Sequence, residues 1–244
     1  MPKKLLHPQS TTRIDRRASG RRRLSAILAT LVFTLGAVVI ATPAIASPLL
    51  TGGLEVDNNI FFFGRNSMQG LDFTATSDSR LTALGFWDFA QNGLSSAFEV
   101  GLWHTTTQSL LAQATIDSSD ALDSSLILDG GAWRYETLAS AVLLTTGTTY
   151  TLGFQVGPQD MSPEDSFLIS NATRTTRAGF NVETGGRFLL TPDFTFPSYP
   201  DDVFGFDFGR GNVNAQIVPI PEPSTAVLLS LGIMGLAARR RLEP

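Results

Sequence analysis

One histidine, His104, is the side chain best suited to acid–base chemistry in the central part of the chain. The 244-residue sequence has one other histidine, close to its start, and no cysteine. A Ser-His-Asp triad would need His104, but no G-x-S-x-G elbow accompanies it. Its place after the apolar stretch "VGLW" indicates a surface position at a strand end. One histidine and no cysteine also exclude the usual zinc sites and thiol nucleophiles. The sequence predicts no catalytic residue and a protein that is not an enzyme.

Aspartates that lie close together in the sequence offer the oxygen ligands that Ca²⁺ requires. The candidate metal ligands are Asp117, Asp120 and Asp123 in the stretch "DSSDALD", whose spacing differs from that of an EF-hand loop. Further acidic residues of the same kind are Asp129, Asp160, Glu164, Asp165, Asp201 and Asp202. Both calcium-binding loops and plain solvated acidic loops fit this pattern, and no other cofactor is indicated. No spacing in the sequence fixes the carboxylate separation that glycoside hydrolysis needs.

Three tryptophans, Trp87, Trp103 and Trp133, have side chains that could stack on sugar rings. Each lies in a strand-like pattern beside other apolar residues, and this favours packing in the core. However, Trp87 directly follows Phe86, and Trp103 is out of phase with Phe98 and the apolar residues that follow it. Because neighbouring strand residues point to opposite faces, an aromatic binding face stays open as the alternative.

These side chains must be positioned by β-strands, because apolar and polar residues alternate with a period of two. The pattern is clear in "AFEVGLWH", residues 97–104, and in "TYTLGFQV", residues 149–156. The stretch "VLLTTGTTY" predicts a hairpin that turns at Gly147. Many short strands separated by Gly, Asn and Asp, with no sustained helical period, predict an all-β fold. We expect an antiparallel β-sandwich of the jelly-roll type.

The predicted β domain, residues 47–217, is strongly acidic. It contains seven arginines, no lysine and 19 acidic residues, a formal net charge of −12, whereas the whole chain has −4. Such a domain would be repelled by a phosphate backbone, so the charge excludes nucleic acid as a partner.

The first 46 residues have the order of parts found in a secretory signal peptide. Arg21-Arg22-Arg23 precede an apolar stretch from Leu24 to Ala41, which predicts an N-terminal signal helix. Ala44 and Ala46 then occupy the small-residue positions before a predicted cut at Ser47. An uncleaved N-terminal anchor is the alternative, and both interpretations place the β domain outside the cytoplasm.

The last segment, residues 218–244, combines three features in a fixed order. The stretch "VPIPEPST" contains Pro221-Glu222-Pro223, an apolar run from Thr225 to Ala238 follows, and Arg239-Arg240-Arg241 come next. The run predicts a short transmembrane helix; its 14 residues would span about 21 Å, less than the roughly 30 Å of a bilayer core. The arginines agree with the positive-inside rule. A plain C-terminal anchor is the alternative to a sorting signal.

Two parts of the chain resemble known families. The run from Leu81 to Val156, with its G-F-W-D, V-G-L-W and L-x-x-G-x-x-Y strands, resembles a bacterial exported domain of unknown function whose members are predicted β-sandwiches. Residues 218–244 resemble the PEP-CTERM sorting signal. The second resemblance implies that an exosortase recognises the chain at the membrane and cuts near Glu222.

The same resemblance implies a cell-surface or matrix protein of a Gram-negative bacterium that makes exopolysaccharide. The expected role is structural or adhesive, in association with that polysaccharide and with biofilm, and the protein would be held in the membrane before processing. The alternative function is a carbohydrate-binding module, which could depend on calcium.

Overall fold

The computed structural model of the chain describes residues 44–52, 67–125, 127, 130–156, 175–190, 195–204, 212–220 and 231–232. The chain divides into two compact units, residues 1–43 and 44–244, and every described residue lies in the second. The predicted signal helix lies outside the described residues. Of the predicted C-terminal helix only Leu231 and Gly232 are described, and both are helical. Within the described ranges, no helix is long and apolar enough to cross a membrane.

Apart from a short 3₁₀ helix at Phe89–Gln91, the described residues up to Ile220 form β-strands joined by turns and loops. The strands are β1 (Ser47–Pro48), β2 (Leu50–Gly52), β3 (Ser67–Ala75), β4 (Ser79–Asp88), β5 (Phe98–His104), β6 (Ser109–Ile116), β7 (Ala121–Leu122), β8 (Ala132–Leu144), β9 (Thr149–Val156), β10 (Thr175–Thr176), β11 (Phe180–Val182), β12 (Gly186–Leu190), β13 (Asp202–Phe204) and β14 (Val213–Pro219).

The strands assemble into two main antiparallel sheets, and β2 pairs with β10 in a separate two-stranded antiparallel sheet. Sheet I has the order β1–β14–β4–β8–β7, and sheet II has the order β13–β12–β3–β9–β5–β6, with β11 also pairing with β3. The pairings are nested, since β5 pairs with β6, β4 with β8 and β3 with β9. The chain from β3 to β9 therefore resembles one long hairpin rolled up across two sheets, which is the jelly-roll arrangement. The predicted antiparallel sandwich is confirmed.

Aromatic rings hold the two sheets together at the centre of the sandwich. Phe86 of sheet I stacks on Phe98 of sheet II with 3.8 Å between ring centroids, and it meets Phe154 edge-on at 5.2 Å. All three rings are buried. Each fully buried ring contributes about 1.5–3 kcal/mol through the hydrophobic effect. The alternation read from the sequence thus places the predicted inward side chains between the sheets.

The turn between β8 and β9 forms where the sequence predicts a hairpin. Gly147 has a φ of 79°, a left-handed conformation that glycine adopts without steric cost. Next to it, the Thr146 backbone N–H and hydroxyl both donate to Oδ1 of Asp78, at 2.8 and 2.7 Å. These two hydrogen bonds lower the pKa of the Asp78 carboxyl below its ordinary value, the backbone bond being the larger cause. The hairpin is therefore fixed to the β3–β4 turn.

Candidate functional site

His104 helps to build a turn. It is the last residue of β5, its carbonyl accepts the Gln108 N–H at 2.8 Å, and its Nδ1 accepts the Thr107 N–H at 3.4 Å. The ring lies edge-on to Tyr150, with centroids 6.1 Å apart. The predicted position at a strand end is confirmed, and the contacts of His104 are those of a turn residue.

The two tryptophans of sheet I pack on its outer face, away from sheet II. Trp87 and Trp133 stand directly opposite each other in β4 and β8, with ring centroids 4.7 Å apart. Because Phe86 points to sheet II, its neighbour Trp87 points the other way. Both indoles are nevertheless fully buried, and a methyl group added at Gly131 would lie 2.4 Å from the Trp87 ring. The loop before β8 therefore covers Trp87.

The outer face of sheet II is covered in a similar way. Trp103 is 1% exposed and packs over Gly101, where an added methyl group would lie 2.3 Å from the ring. Phe196 and Tyr199 meet the indole edge-on, with centroids at 6.1 and 6.3 Å. All three tryptophans are thus packed inside the domain, as their pattern favours, and none of the rings is free to stack on a sugar.

The three candidate calcium ligands build turns with their own neighbours. Oδ1 of Asp117 accepts the N–H and hydroxyl of Ser119, and Oδ1 of Asp123 accepts the same two groups of Ser125. Oδ2 of Asp120 accepts the Asp117 N–H at 2.7 Å. The Ser119 hydroxyl, followed by its N–H, lowers the pKa of the Asp117 carboxyl. Each carboxylate therefore already serves as a turn cap.

Carboxylates also lie close together where β8 passes the turn that contains Asp117 and Asp120. A side-chain hydrogen bond with Asp120 raises the pKa of Glu136, with smaller contributions from burial and from the negative charges of Asp120 and Asp117. In the described parts of the chain, no three His, Asp or Glu side chains are grouped so that they could hold a metal ion. The remaining acidic residues Asp129, Asp160, Glu164 and Asp165 lie outside the described residues, so calcium binding stays a prediction.

A cleft of about 360 Å³ opens on sheet I, and we call it the sheet I cleft. Its polar lining includes Ser47, Asp123, Ser125, Thr137 and Gln216, together with Tyr135. The Tyr135 side chain is buried, and no described residue forms a hydrogen bond with its hydroxyl. Burial, and secondly the charge of Asp123, raise the pKa of Tyr135 well above its ordinary value. The cleft is thus a small concave surface rich in hydrogen-bonding groups.

A comparison with protein family models places most of the β domain in a known family. The family model described as "Domain of unknown function (DUF4082)" matches residues 64–202, more than half of the chain. The chain belongs to the DUF4082 family. A second model, the PEP-CTERM protein-sorting motif, matches residues 219–241. The chain is therefore an exported PEP-CTERM protein that is associated with the cell envelope and processed by an exosortase at the membrane. No curated protein matches it.

The DUF4082 match is wider than the resemblance visible in the sequence motifs. It begins before β3 and ends at Asp202, whereas the motifs cover Leu81 to Val156. The additional residues include β3, at the centre of sheet II, and the segment with Phe196 and Tyr199 that covers Trp103. These parts carry no recognisable sequence motif, yet they belong to the region that the family model matches.

The residues predicted for processing flank the DUF4082 domain. Ser47 is the first residue of β1, and the preceding Ile45 is 82% exposed between Ala44 and Ala46. A cut before Ser47 stays a prediction. The sorting residues Pro221, Glu222, Pro223, Arg239, Arg240 and Arg241 lie within the matched sorting motif and outside the described residues.

Three arginines of the DUF4082 domain bind groups that are far away in the sequence. Arg134 forms an ion pair with Asp88, and Arg187 forms one with Asp72, each at 2.7 Å. Arg177 donates to main-chain carbonyls of the first and last strands. No motif or spacing in the sequence predicts a role for these arginines. The only available signal was compositional, because the acidic domain contains arginine as its sole basic residue type.

Proposed function

We propose that this protein is a non-catalytic structural or adhesive component of the cell surface or matrix of a Gram-negative bacterium, associated with exopolysaccharide and biofilm. The observation that supports the proposal is the sorting motif, residues 219–241, which lies C-terminal to the DUF4082 match at residues 64–202. The domain's tryptophans are all buried and its His104 is part of a turn, a structure suited to display on a surface. The domain's excess of negative charge would make neighbouring copies of the protein repel one another and would keep them hydrated.

Analysis of both ends of the native protein tests its processing. We expect mass spectrometry of surface material to show a chain that starts at Ser47 and ends between Pro221 and Ser224. A Glu222→Ala variant should keep its tail and stay in the membrane fraction. If Arg239 to Arg241 remain on the mature wild-type protein, the tail is a plain anchor and the proposed cut near Glu222 fails.

A deletion strain tests the structural role. Loss of the protein should reduce cell–cell adhesion and retained polysaccharide, and re-expression of the wild type should restore both. A His104→Ala variant should restore them equally well, because the proposed role involves no acid–base chemistry. Unchanged adhesion in the deletion strain would refute the role, and failure of His104→Ala to complement would favour an enzyme.

The sheet I cleft favours a second candidate function, the binding of a saccharide. Its volume of about 360 Å³ is adequate for a small ligand, since such sites typically measure about 300–1,000 Å³. The hydroxyls of Ser125 and Thr137, the amide of Gln216 and the carboxylate of Asp123 are groups that pair with sugar hydroxyls. Because Tyr135 is buried, recognition would depend on hydrogen bonds and not on ring stacking.

Two matched variants test this second function. Asp123→Asn changes a turn-capping carboxylate inside the cleft, whereas Asp117→Asn changes a similar cap that does not line it. We expect glycan-array signals to weaken in Asp123→Asn and to persist in Asp117→Asn. EDTA should abolish binding only if calcium is required. If the wild type binds no glycan, or both variants lose binding equally, the cleft is not the site.

A further inference from the structure

The chain enters and leaves the β domain, residues 47–217, at one place, which we call the exit end. β1 runs antiparallel to β14, with Ser47 opposite Ile217 and Pro48 opposite Gln216. In an antiparallel pair, one strand begins where the other stops. The predicted signal-peptide cut before Ser47 and the sorting motif after β14 therefore lie beside each other at the same edge of sheet I.

A single arginine connects these two strands. Nη1 of Arg177 donates to the Ser47 carbonyl at 3.4 Å and to the Ile217 carbonyl, while its backbone N–H donates to the Leu49 carbonyl at 2.9 Å. Arg177 is partly buried, and this burial lowers the pKa of its guanidinium. Arg177 therefore fixes the first residue of β1 against the strand that leads into the sorting motif.

The last described residue before the sorting triplet is also bound to the domain. The Ile220 N–H donates to the Asp78 carbonyl at 3.2 Å. Asp78 is held in turn by Thr146, whose N–H and hydroxyl donate to its carboxylate. The backbone is thus fixed to the folded domain up to the residue that precedes Pro221.

This arrangement leaves the processing enzyme very little free chain. Glu222 follows Ile220 by two residues and Thr225, where the apolar run starts, follows it by five. At no more than about 3.6 Å per residue, these positions lie within about 7 Å and about 18 Å of Ile220. A membrane-embedded enzyme that reads the triplet must therefore contact the exit end of the folded domain.

We propose that the exit end is the surface on which the exosortase docks, and that Arg177 is a positioning residue that holds β14, the strand leading to the sorting triplet, in place beside β1. The inference rests on the proposed cut near Glu222. Holding a substrate segment in one geometry reduces the entropy lost on binding, so an ordered exit favours processing.

A double-mutant cycle in an exosortase-bearing host, with the full-length chain, tests this proposal. The first change is Arg177→Ala. The second is a flexible Gly-Ser spacer of about six residues, with a root-mean-square length of roughly 13 Å, inserted between Ile220 and Pro221. The readout is the rate of tail removal, followed by pulse labelling and mass spectrometry. Arg80→Ala is the matched control, because Arg80 lies opposite Val218 of β14.

We expect Arg177→Ala to slow tail removal about tenfold, equivalent to about 1.4 kcal/mol, which is near the net value of a hydrogen bond to a charged group. The spacer alone should also slow it, and in the spacer background Arg177→Ala should have no further effect. Arg80→Ala should process at the wild-type rate. A general folding defect would instead make the Arg177→Ala effect independent of the spacer.

The possible outcomes distinguish the docking inference from the proposed cut near Glu222 on which it rests. Retention of the tail by the wild type refutes the proposed processing itself. Normal or faster processing of Arg177→Ala overturns the docking inference while leaving the processing intact. An Arg177→Ala effect that persists in the spacer background also overturns the docking inference. If Arg177→Ala fails to fold, the spacer variant decides alone, because its insertion lies after the last residue bound to the domain; unchanged processing there refutes the inference.

Discussion

The two ion pairs found among the described residues have the same length and different surroundings. Asp88–Arg134 belongs to sheet I and Asp72–Arg187 to sheet II, each with an N–O distance of 2.7 Å. The Asp88 side chain is 0% exposed and that of Asp72 15% exposed. Oδ1 of Asp72 accepts a hydrogen bond from Thr151, whereas no described residue forms one with Oδ1 of Asp88. The stability of sheet I therefore depends more strongly on Arg134 than the stability of sheet II depends on Arg187.

Replacement of Arg134 should have the largest effect on stability. Arg134→Ala leaves Asp88 buried with the Gly93 N–H as its other described donor, at 3.2 Å, and it removes the hydrogen bond to the Asp120 carbonyl. Breaking a buried pair by removing one partner costs about 3–5 kcal/mol. Urea unfolding at neutral pH measures this loss. Adding Asp88→Asn to Arg134→Ala should recover part of it, because the unpaired charge is gone. A loss below about 1 kcal/mol, the range of an exposed pair, would contradict the comparison.

Replacement of Arg187 should have a smaller effect that is concentrated in one segment. Arg187 donates to Asp72 and lies 5.6 Å from the centre of the Tyr199 ring, which packs on Trp103. Loss of a hydrogen bond to a charged group and of a cation–π contact together costs about 1–3 kcal/mol. Arg187→Ala should also speed amide exchange in residues 195–204.

The matched control for that measurement is Arg80→Ala, which removes an exposed arginine from sheet I. It should leave amide exchange in residues 195–204 unchanged. If Arg187→Ala destabilises the domain as much as Arg134→Ala, burial is not what distinguishes the two pairs.

The sequence reveals the strands better than it reveals these pairs. β9 has the predicted bounds and β5 begins one residue later than predicted, because the period-two alternation of their side chains depends only on local sequence. β3 is missed, since it carries Gly70 and Asp72 among its apolar residues. A tertiary contact explains why glycine occupies position 70, because a methyl group added at Gly70 would lie 2.4 Å from the Leu152 carbonyl oxygen.

The contacts of the arginines could not be predicted for a related reason. Arg134 binds a carboxylate 46 residues away, and Arg187 binds one 115 residues away. Only the folded topology brings such partners together. The sorting motif, in contrast, is a contiguous sequence, so its recognition needs no fold. The sheet I cleft has no local signature, because its lining comes from β1, β7, β8, β14 and the Asp123–Ser125 turn.

The smallest predicted effect concerns the excess of carboxylates beside Arg134, where Asp120 raises the pKa of Glu136. A raised pKa means that the folded state resists loss of the Glu136 proton. The domain should therefore lose stability as the pH rises from about 4.5, the ordinary value, through the raised one. Glu136→Gln removes that charge and should stabilise the domain at pH 7, by no more than about 0.5 kcal/mol for so exposed a position. The gain should vanish below about pH 4.5, where Glu136 is protonated in both states.

Glu99→Gln, which changes a carboxylate hydrogen-bonded to Thr115 on sheet II, should give no such gain. Thermal melts from pH 3 to pH 8 compare the two variants, and an equal response of both would show that the crowding at Arg134 has no energetic consequence.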